Sequence, residues 1–135
     1  MAGIPLNTFR TVTKIVQQAS PLNMSTPPTP YTTQNQYAVY QAPPGTTGII
    51  LYAQIANISG TTAYTASMWH YRPAGQVFTE LFRQMPIPPN DVMIALGGKL
   101  VLETSDIVFV SGSAPFSGGQ SDLKMVASVL ESANQ

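Results

Sequence analysis

Proline, glycine and asparagine interrupt this chain at short intervals from residue 37 onward, and no other sequence feature constrains the fold as strongly. The runs between the interruptions are rich in Val, Ile, Thr and aromatic residues, and most are too short for a stable helix. These runs predict strands over residues 9–17, 37–41, 48–58, 62–71, 77–85, 92–96, 100–103, 106–111 and 123–130. We therefore predict a single all-β domain over residues 1–135, a jelly-roll-like antiparallel β-sandwich of about seven to nine strands with an extended Pro-rich arm.

The run 48–58 is the strongest of the predicted strands. Ile49, Leu51 and Ile55 alternate with other apolar residues, which predicts a central strand covered on both faces, with these three side chains in the core. Residues 62–71 follow a Ser-Gly turn, and we expect them to form the hairpin partner of this strand.

The two ends of the chain carry separate expectations. The first strand contains Arg10 and Lys14, charges that are typical of a sheet edge. Residues 121–134 fit either a closing strand or a helix, because apolar residues recur there at both spacings. The β-branched and alternating part of this run favours the strand.

Residues 18–36 break the strand pattern. They contain Pro21, Pro27, Pro28 and Pro30 among Ser, Thr, Asn and Gln, a composition that excludes a helix and favours extended chain. This stretch has little apolar surface to offset the entropy lost on ordering, so we expect it to be mobile in an isolated subunit. It is either an arm that contacts a neighbouring subunit through the four prolines and Tyr31, or a plain mobile loop. The arm interpretation predicts that deleting residues 19–35 spares the fold and weakens attachment or oligomerisation.

Charge is scarce. Six Lys and Arg balance six Asp and Glu, so the formal net charge is zero. This excludes electrostatic binding of nucleic acid, which needs a basic surplus. No apolar run approaches the roughly 18 residues of a membrane span, and the first ten residues lack the pattern of a signal peptide. We expect a protein made in the cytoplasm, with a charge-poor surface that partners cover.

Few residues suggest chemistry. There is no Cys and a single His, His70, which has no neighbouring motif of a nucleophile or second metal ligand. Glu103 and Asp106 could act as a carboxylate pair or bind Ca²⁺, but their spacing across Thr-Ser favours a turn in which Asp106 bonds its own backbone. Gly97-Gly98-Lys99 lacks the full spacing of a phosphate loop. The sequence therefore predicts no enzyme, no cofactor and no metal.

Trp69, Tyr71 and Arg72 form the one candidate ligand site. Aromatic rings and a guanidinium at the end of a strand can stack against a sugar ring or a base. The same residues also fit ordinary core and hairpin packing, which is the more common role of aromatic residues in a sandwich.

Five stretches carry a resemblance when they are taken together and in order: residues 4–13, 40–57, 86–91, 98–103 and 128–131. Their pattern is a Tyr followed by a Pro-Gly turn, a long apolar strand ending in Ala-Asn, an Ile-Pro turn, Gly-Lys-Leu-x-Leu-Glu and a closing strand. This pattern resembles a family of small virion structural proteins of tailed phages, common in marine and cyanobacterial phages. Residues 18–36 and 112–120 fall outside it and look like insertions.

The resemblance implies a non-enzymatic virion component, a capsid decoration (cement) subunit or a sleeve on the neck or tail. Its partners would be copies of itself and the major capsid, neck or tail proteins, with no nucleic acid and no membrane. It would be located in the virion and made in the host cytoplasm. The alternative is a tail-fibre or baseplate module that binds a host-surface glycan through Trp69, Tyr71 and Arg72.

Overall fold

The computed structural model describes residues 7–133 and shows an all-β chain, as the sequence predicts. Its nine strands are β1 (Asn7–Ile15), β2 (Ala38–Gln41), β3 (Thr46–Asn57), β4 (Tyr64–Arg72), β5 (Val77–Ile87), β6 (Asp91–Leu96), β7 (Leu100–Leu102), β8 (Ile107–Gly112) and β9 (Leu123–Ala133). The closing run is a strand as far as the structure describes it. Residues 1–6, which begin before the first resembling stretch and enter it, and residues 134–135 lie outside the described part.

The strands form two antiparallel sheets. The five-stranded sheet has the order β1-β9-β3-β6, with β7 also paired to β3, and the four-stranded sheet has the order β2-β8-β4-β5. The edge position of β1 and the central position of β3 are therefore confirmed. In the range 7–133 no helix has the length and apolar character needed to cross a membrane.

The expectation that β4 is the hairpin partner of β3 is wrong. β4 pairs with β5 and β8 in the opposite sheet. The buried Asn57 explains the crossing, because its side-chain amide donates to the carbonyls of Thr62 and Ile87, both at 2.9 Å. These bonds hold the end of β3 against the start of β4 and the end of β5, so the chain passes from one sheet to the other.

The core lies between the two sheets and is built from alternate side chains of their facing sides. It includes Ile50, Ala53, Ile55, Met68, Ile87, Leu102, Val108, Val110, Leu123, Met125, Ala127 and Val129. Because each strand gives only every second residue to this layer, both sheets keep an outward side.

A β-bulge in β3 corrects the predicted core. The pairing of β3 with β9 shifts register between Ile50 and Tyr52. One extra residue moves the following side chains to the other side of the strand. Ile50 and Ile55 are therefore both fully buried, whereas Ile49 and Leu51 are only half-buried on the outward side. The sequence predicted Ile55 correctly but placed Ile49 and Leu51 on the wrong side, and β3 is not covered on both faces.

Gly112 marks the end of β8, where the chain needs a residue without a side chain. A Cβ at this position would lie 2.5 Å from Cδ1 of Leu123 and 3.1 Å from the carbonyl oxygen of Thr65. The Gly112 carbonyl also accepts from the Ala19 amide at 2.8 Å. The absent side chain thus lets residues 17–19 cross from β1 to the four-stranded sheet.

Residues 18–36 form a third layer on the outward side of the four-stranded sheet. Ala19 and Met24 are buried there in a cluster with Tyr37, Trp69, Tyr71, Ile107 and Phe109. The expectation of an arm with almost nothing to bury is therefore wrong for this structure. Its few apolar residues are far apart in sequence, but they meet rings supplied by β4 and β8.

Candidate functional site

The outward side of the four-stranded sheet, called the covered face here, is an aromatic surface beneath residues 18–36. Trp69 and Phe109 are opposite each other on β4 and β8, and both are fully buried. Tyr31 is half-buried on the same surface, with its ring centroid 4.8 Å from that of Tyr71 and 5.0 Å from that of Phe78. Aromatic pairs at such distances stabilise the folded state by more than the burial of their apolar area alone.

Hydrogen bonds fix the backbone of residues 18–36 to this face. The Trp69 indole N–H donates to the Ser25 carbonyl at 2.9 Å, and Arg83 donates to the Asn23 carbonyl at 2.9 Å. Asn35 is buried, and its side-chain amide donates to the carbonyls of Pro28 and Pro30 at 2.6 and 2.5 Å. Its side-chain oxygen accepts from the Tyr37 amide at 2.9 Å. Backbone carbonyl and amide groups that lie against the aromatic rings therefore have hydrogen-bond partners.

The five predicted arm contacts occupy different environments on this chain. Pro27 is buried and Tyr31 half-buried, whereas Pro21, Pro28 and Pro30 are exposed. The sequence predicted Tyr31 as a contact with a neighbouring subunit, whereas here its ring packs against Tyr71 and Phe78 of its own chain. Deleting residues 19–35 would expose these rings, and the structure therefore speaks against a deletion that spares the fold.

The structure does not bring Trp69, Tyr71 and Arg72 together as an open platform. Trp69 and Tyr71 are buried beneath residues 18–36, and the rings that cover this face come from the chain itself. Arg72 points to the edge of the sheet, where Nη2 lies 2.7 Å from Glu103 and 3.1 Å from Asp106. Of the two roles that the sequence left open, packing is therefore the one that Trp69 and Tyr71 have, and the stacking platform is wrong because the alternation of β4 separates Arg72 from the two rings.

Asp106 is the centre of a polar cluster at this edge. Its carboxylate is almost completely buried and contacts His70 Nε2 at 3.0 Å and the Arg72 guanidinium. It also accepts from the Glu103 amide at 3.1 Å, which is the turn role that the sequence predicted. The hydrogen bond and charge of Asp106 raise the pKa of Arg72 above its usual value.

The bonds of this cluster link β4 to the turn before β8. Asp106 has all its bonds within the chain, and residues 7–133 contain no group of three or more His, Asp or Glu side chains placed to hold a metal ion. The arrangement joins β4 to the turn before β8 and favours a structural role.

The outward side of the five-stranded sheet has no layer of residues 18–36 over it. We call it the bare face; its exposed apolar side chains are Phe9, Tyr52, Val92, Ile94 and Val101. They include the two most exposed large apolar residues in the described range, Phe9 at 75% and Ile94 at 60%. Several exposed apolar side chains on one face of a sheet are typical of an interaction site.

The strand pairing arranges the bare face in cross-strand rows. One row is Phe9, Leu130, Ile49 and Val101, in the order β1-β9-β3-β7. The row nearest the other end is Ile15, Lys124, Ala56 and Val92, in the order β1-β9-β3-β6. Between them lie a row containing Thr13, Val126, Gln54 and Ile94 and a row containing Thr11, Ser128 and Tyr52. Lys124 is the only charged residue in these four rows.

A groove of about 700 Å³ occupies the Lys124 end of the bare face. Its floor comes from β1, β3 and β9, including Ile15, Ala56 and Val126, and Phe116 from the loop after β8 forms part of its wall. The stretch 112–120, which falls outside the phage-like pattern, therefore shapes this end of the face.

The bare face was only partly predictable. The alternation in β1 places Phe9, Thr11, Thr13 and Ile15 on one side, and that assignment agrees with their outward positions. The groove depends on the bulge in β3 and on a loop from the other sheet, neither of which has a local sequence signal.

No family model matches the chain, and no curated protein matches it. Among solved structures, one chain of the T13 IBDV viral particle is similar over 96% of this chain, with a TM-score of 0.46 and 10% sequence identity. This chain spans about a third, 32%, of the length of that one.

Proposed function

We propose that this protein is a non-enzymatic structural subunit of a tailed-phage virion. It acts as an oligomeric accessory component, such as a capsid decoration (cement) protein or a neck or tail sleeve. It is made in the host cytoplasm, and its partners are copies of itself and other virion proteins. The bare face carries this proposal, because a large apolar sheet surface on a small β-sandwich suits contact with a neighbouring subunit.

Two further observations support it. The chain has zero net charge and only 9% charged residues, so electrostatic repulsion opposes association weakly. Five stretches in order resemble small virion structural proteins of tailed phages. The glycan-binding alternative loses its basis, because Trp69 and Tyr71 are buried beneath the chain's own residues.

The experiment is to purify phage particles that encode this chain, measure its copy number by quantitative mass spectrometry and locate it by electron cryomicroscopy. Many copies in a symmetric arrangement on the head support a decoration subunit, and a ring below the head supports a sleeve. A chain that is expressed during infection but absent from purified particles overturns the proposal. A few copies at the distal tail would overturn it in favour of the recognition module.

A further inference from the structure

We propose that two copies of this chain pair their bare faces about a two-fold axis, with Phe9 of each copy inserted in the groove of the other. This inference rests on the proposed structural role and identifies a second copy of this chain as a partner of the bare face. It follows from a protruding side chain and a groove at opposite ends of the same surface.

Phe9 is the protruding element. Its side chain is 75% exposed, more than any other large apolar residue in the described range. Phe9 and Ile15 lie six residues apart on β1, which at about 3.3 Å per residue is about 20 Å. The groove begins at Thr13, four residues or about 13 Å from Phe9, and continues past Ile15.

The groove has the size and lining to receive such a ring. Its volume of about 700 Å³ exceeds that of a phenylalanine side chain several-fold, and its apolar lining includes Ile15, Ile58, Phe116 and Val126. Two lysines, Lys14 and Lys124, also line it. An ammonium group against the face of an aromatic ring is attractive, so these two charges favour an aromatic occupant.

These positions are self-complementary under one symmetry operation. A two-fold axis in the plane of the interface and perpendicular to the strands places the Phe9 row of one copy over the Lys124 row of the other. Both contacts then form at once, as in an isologous dimer. An axis parallel to the strands would instead set each groove against the other groove and leave both empty.

The area suits a stable dimer. Four strand widths of about 4.8 Å and a length of about 30 Å, set by the nine residues of β1, give a footprint of about 580 Å². A standard interface buries about 800 Å² per partner, and a corrugated surface has more accessible area than its footprint. The contact would also cover Tyr52, Ile94 and Val101, which the chain itself leaves exposed.

The test is analytical ultracentrifugation of the full chain and of two variants that damage opposite halves of the contact. Phe9→Ala removes the inserted ring, and Ala56→Trp fills the floor of the groove. Each is expected to raise the dimer dissociation constant at least about tenfold. Leu22→Ala, at a residue 55% exposed on the covered face, is the matched control and should leave the dissociation constant unchanged.

Mixing the two variants gives the sharper result. A mixed dimer keeps one intact contact, between Phe9 of the Ala56→Trp chain and the groove of the Phe9→Ala chain, and should form more tightly than either variant alone. Circular dichroism and melting temperature check that both variants fold, and Gln54→Trp replaces Ala56→Trp if that chain is destabilised.

A monomeric wild-type chain, a dimer that neither variant weakens, or variants that gain nothing on mixing would overturn this inference. A monomeric chain that is nevertheless present in purified particles would leave the proposed function standing, so the two failures are distinguishable.

Discussion

Phe109 and Phe9 both lie on outward sides of the sandwich, yet Phe109 is fully buried and Phe9 is 75% exposed. The difference comes from residues 18–36, which cover the four-stranded sheet and leave the five-stranded sheet bare. One outer face is thus completed within the chain by a third layer. The other has a comparable apolar surface and no such cover, and this contrast indicates where a partner would contact the molecule.

The largest expected effect comes from comparing these two phenylalanines directly. Phe109→Ala removes a ring packed against Trp69 and the residues above it, so it should lower the free energy of unfolding by about 3–5 kcal/mol. Phe9→Ala removes an exposed ring and should change it by no more than about 0.5 kcal/mol. Urea denaturation, at a concentration at which the chain is monomeric, measures both. Equal losses of unfolding free energy in the two variants would contradict the conclusion that one outer face is covered and the other is bare.

A second comparison concerns the two sides of β3. Ile50→Ala opens a cavity in the core and should cost about 2–5 kcal/mol, whereas Leu51→Ala changes a half-buried outward side chain and should cost clearly less. The same denaturation experiment decides between them. If Leu51→Ala were the more destabilising, the bulge would not shift β3 as the structure shows, and the simple alternation of the sequence would be correct.

The covered face should also depend on the bonds of Asn35. Asn35→Ala leaves the carbonyls of Pro28 and Pro30 without their donor, and we expect a loss of about 1–3 kcal/mol. Limited proteolysis should then cut within residues 18–36 faster than in the wild type. Gln34→Ala, at the exposed neighbour, is the control and should change neither quantity measurably. A cleavage rate equal to the control would mean that Asn35 does not hold this layer in place.

The smallest effect is expected at the edge where β2 meets β9. Tyr40 is buried there, and its hydroxyl donates to the Glu131 carboxylate, which also pairs with Arg10. Burial and this hydrogen bond raise the pKa of Tyr40 above its usual value near 10. The folded state therefore retains the phenolic proton to higher pH than the unfolded chain does. The contribution of the protonated Tyr40 hydroxyl to the free energy of unfolding is fully present below about pH 10. It is lost as the pH rises through the pKa that Tyr40 has in the folded state.

We accordingly expect Tyr40→Phe to cost about 1 kcal/mol at pH 7 and to reduce the decline of stability above pH 10. Denaturation curves of both chains at pH 7, 10 and 11 measure this. Parallel declines in the two chains would contradict the assignment to Tyr40.

Several particular residues show how much of this molecule the sequence could predict. The strands, the edge position of β1 and the turn role of Asp106 follow from local signals: β-branched runs, charges and turn residues. The sequence placed Ile49 and Leu51 on the wrong side of β3, because the bulge arises from the pairing of β3 with β9 and has no signal within β3 itself. The role of residues 18–36 was missed because Ala19, Met24 and Tyr31 are scattered in sequence and become a layer only against Trp69, Tyr71 and Phe109.

The candidate surface shows the same limit. The sequence placed Phe9 and Ile15 on one side of β1, but it could not show which outer face remained uncovered. It left a stacking platform and ordinary packing open for Trp69, Tyr71 and Arg72, and the structure buries the two rings and places Arg72 beside Asp106. Whether a side chain on an outer face is exposed depends on whether a segment distant in sequence covers it. No local sequence pattern shows that cover.

The most direct measurement compares thiol accessibility on the two sheets, since the chain has no cysteine of its own. Val101 on the bare face and Val77 on the four-stranded sheet are each 51% exposed, so Val101→Cys and Val77→Cys form a matched pair. In the dilute free chain, both thiols should react with a maleimide at similar rates. In purified particles, the Val101→Cys thiol should be protected while the Val77→Cys thiol still reacts. Equal reactivity of the two thiols in the particle would contradict assembly through the bare face.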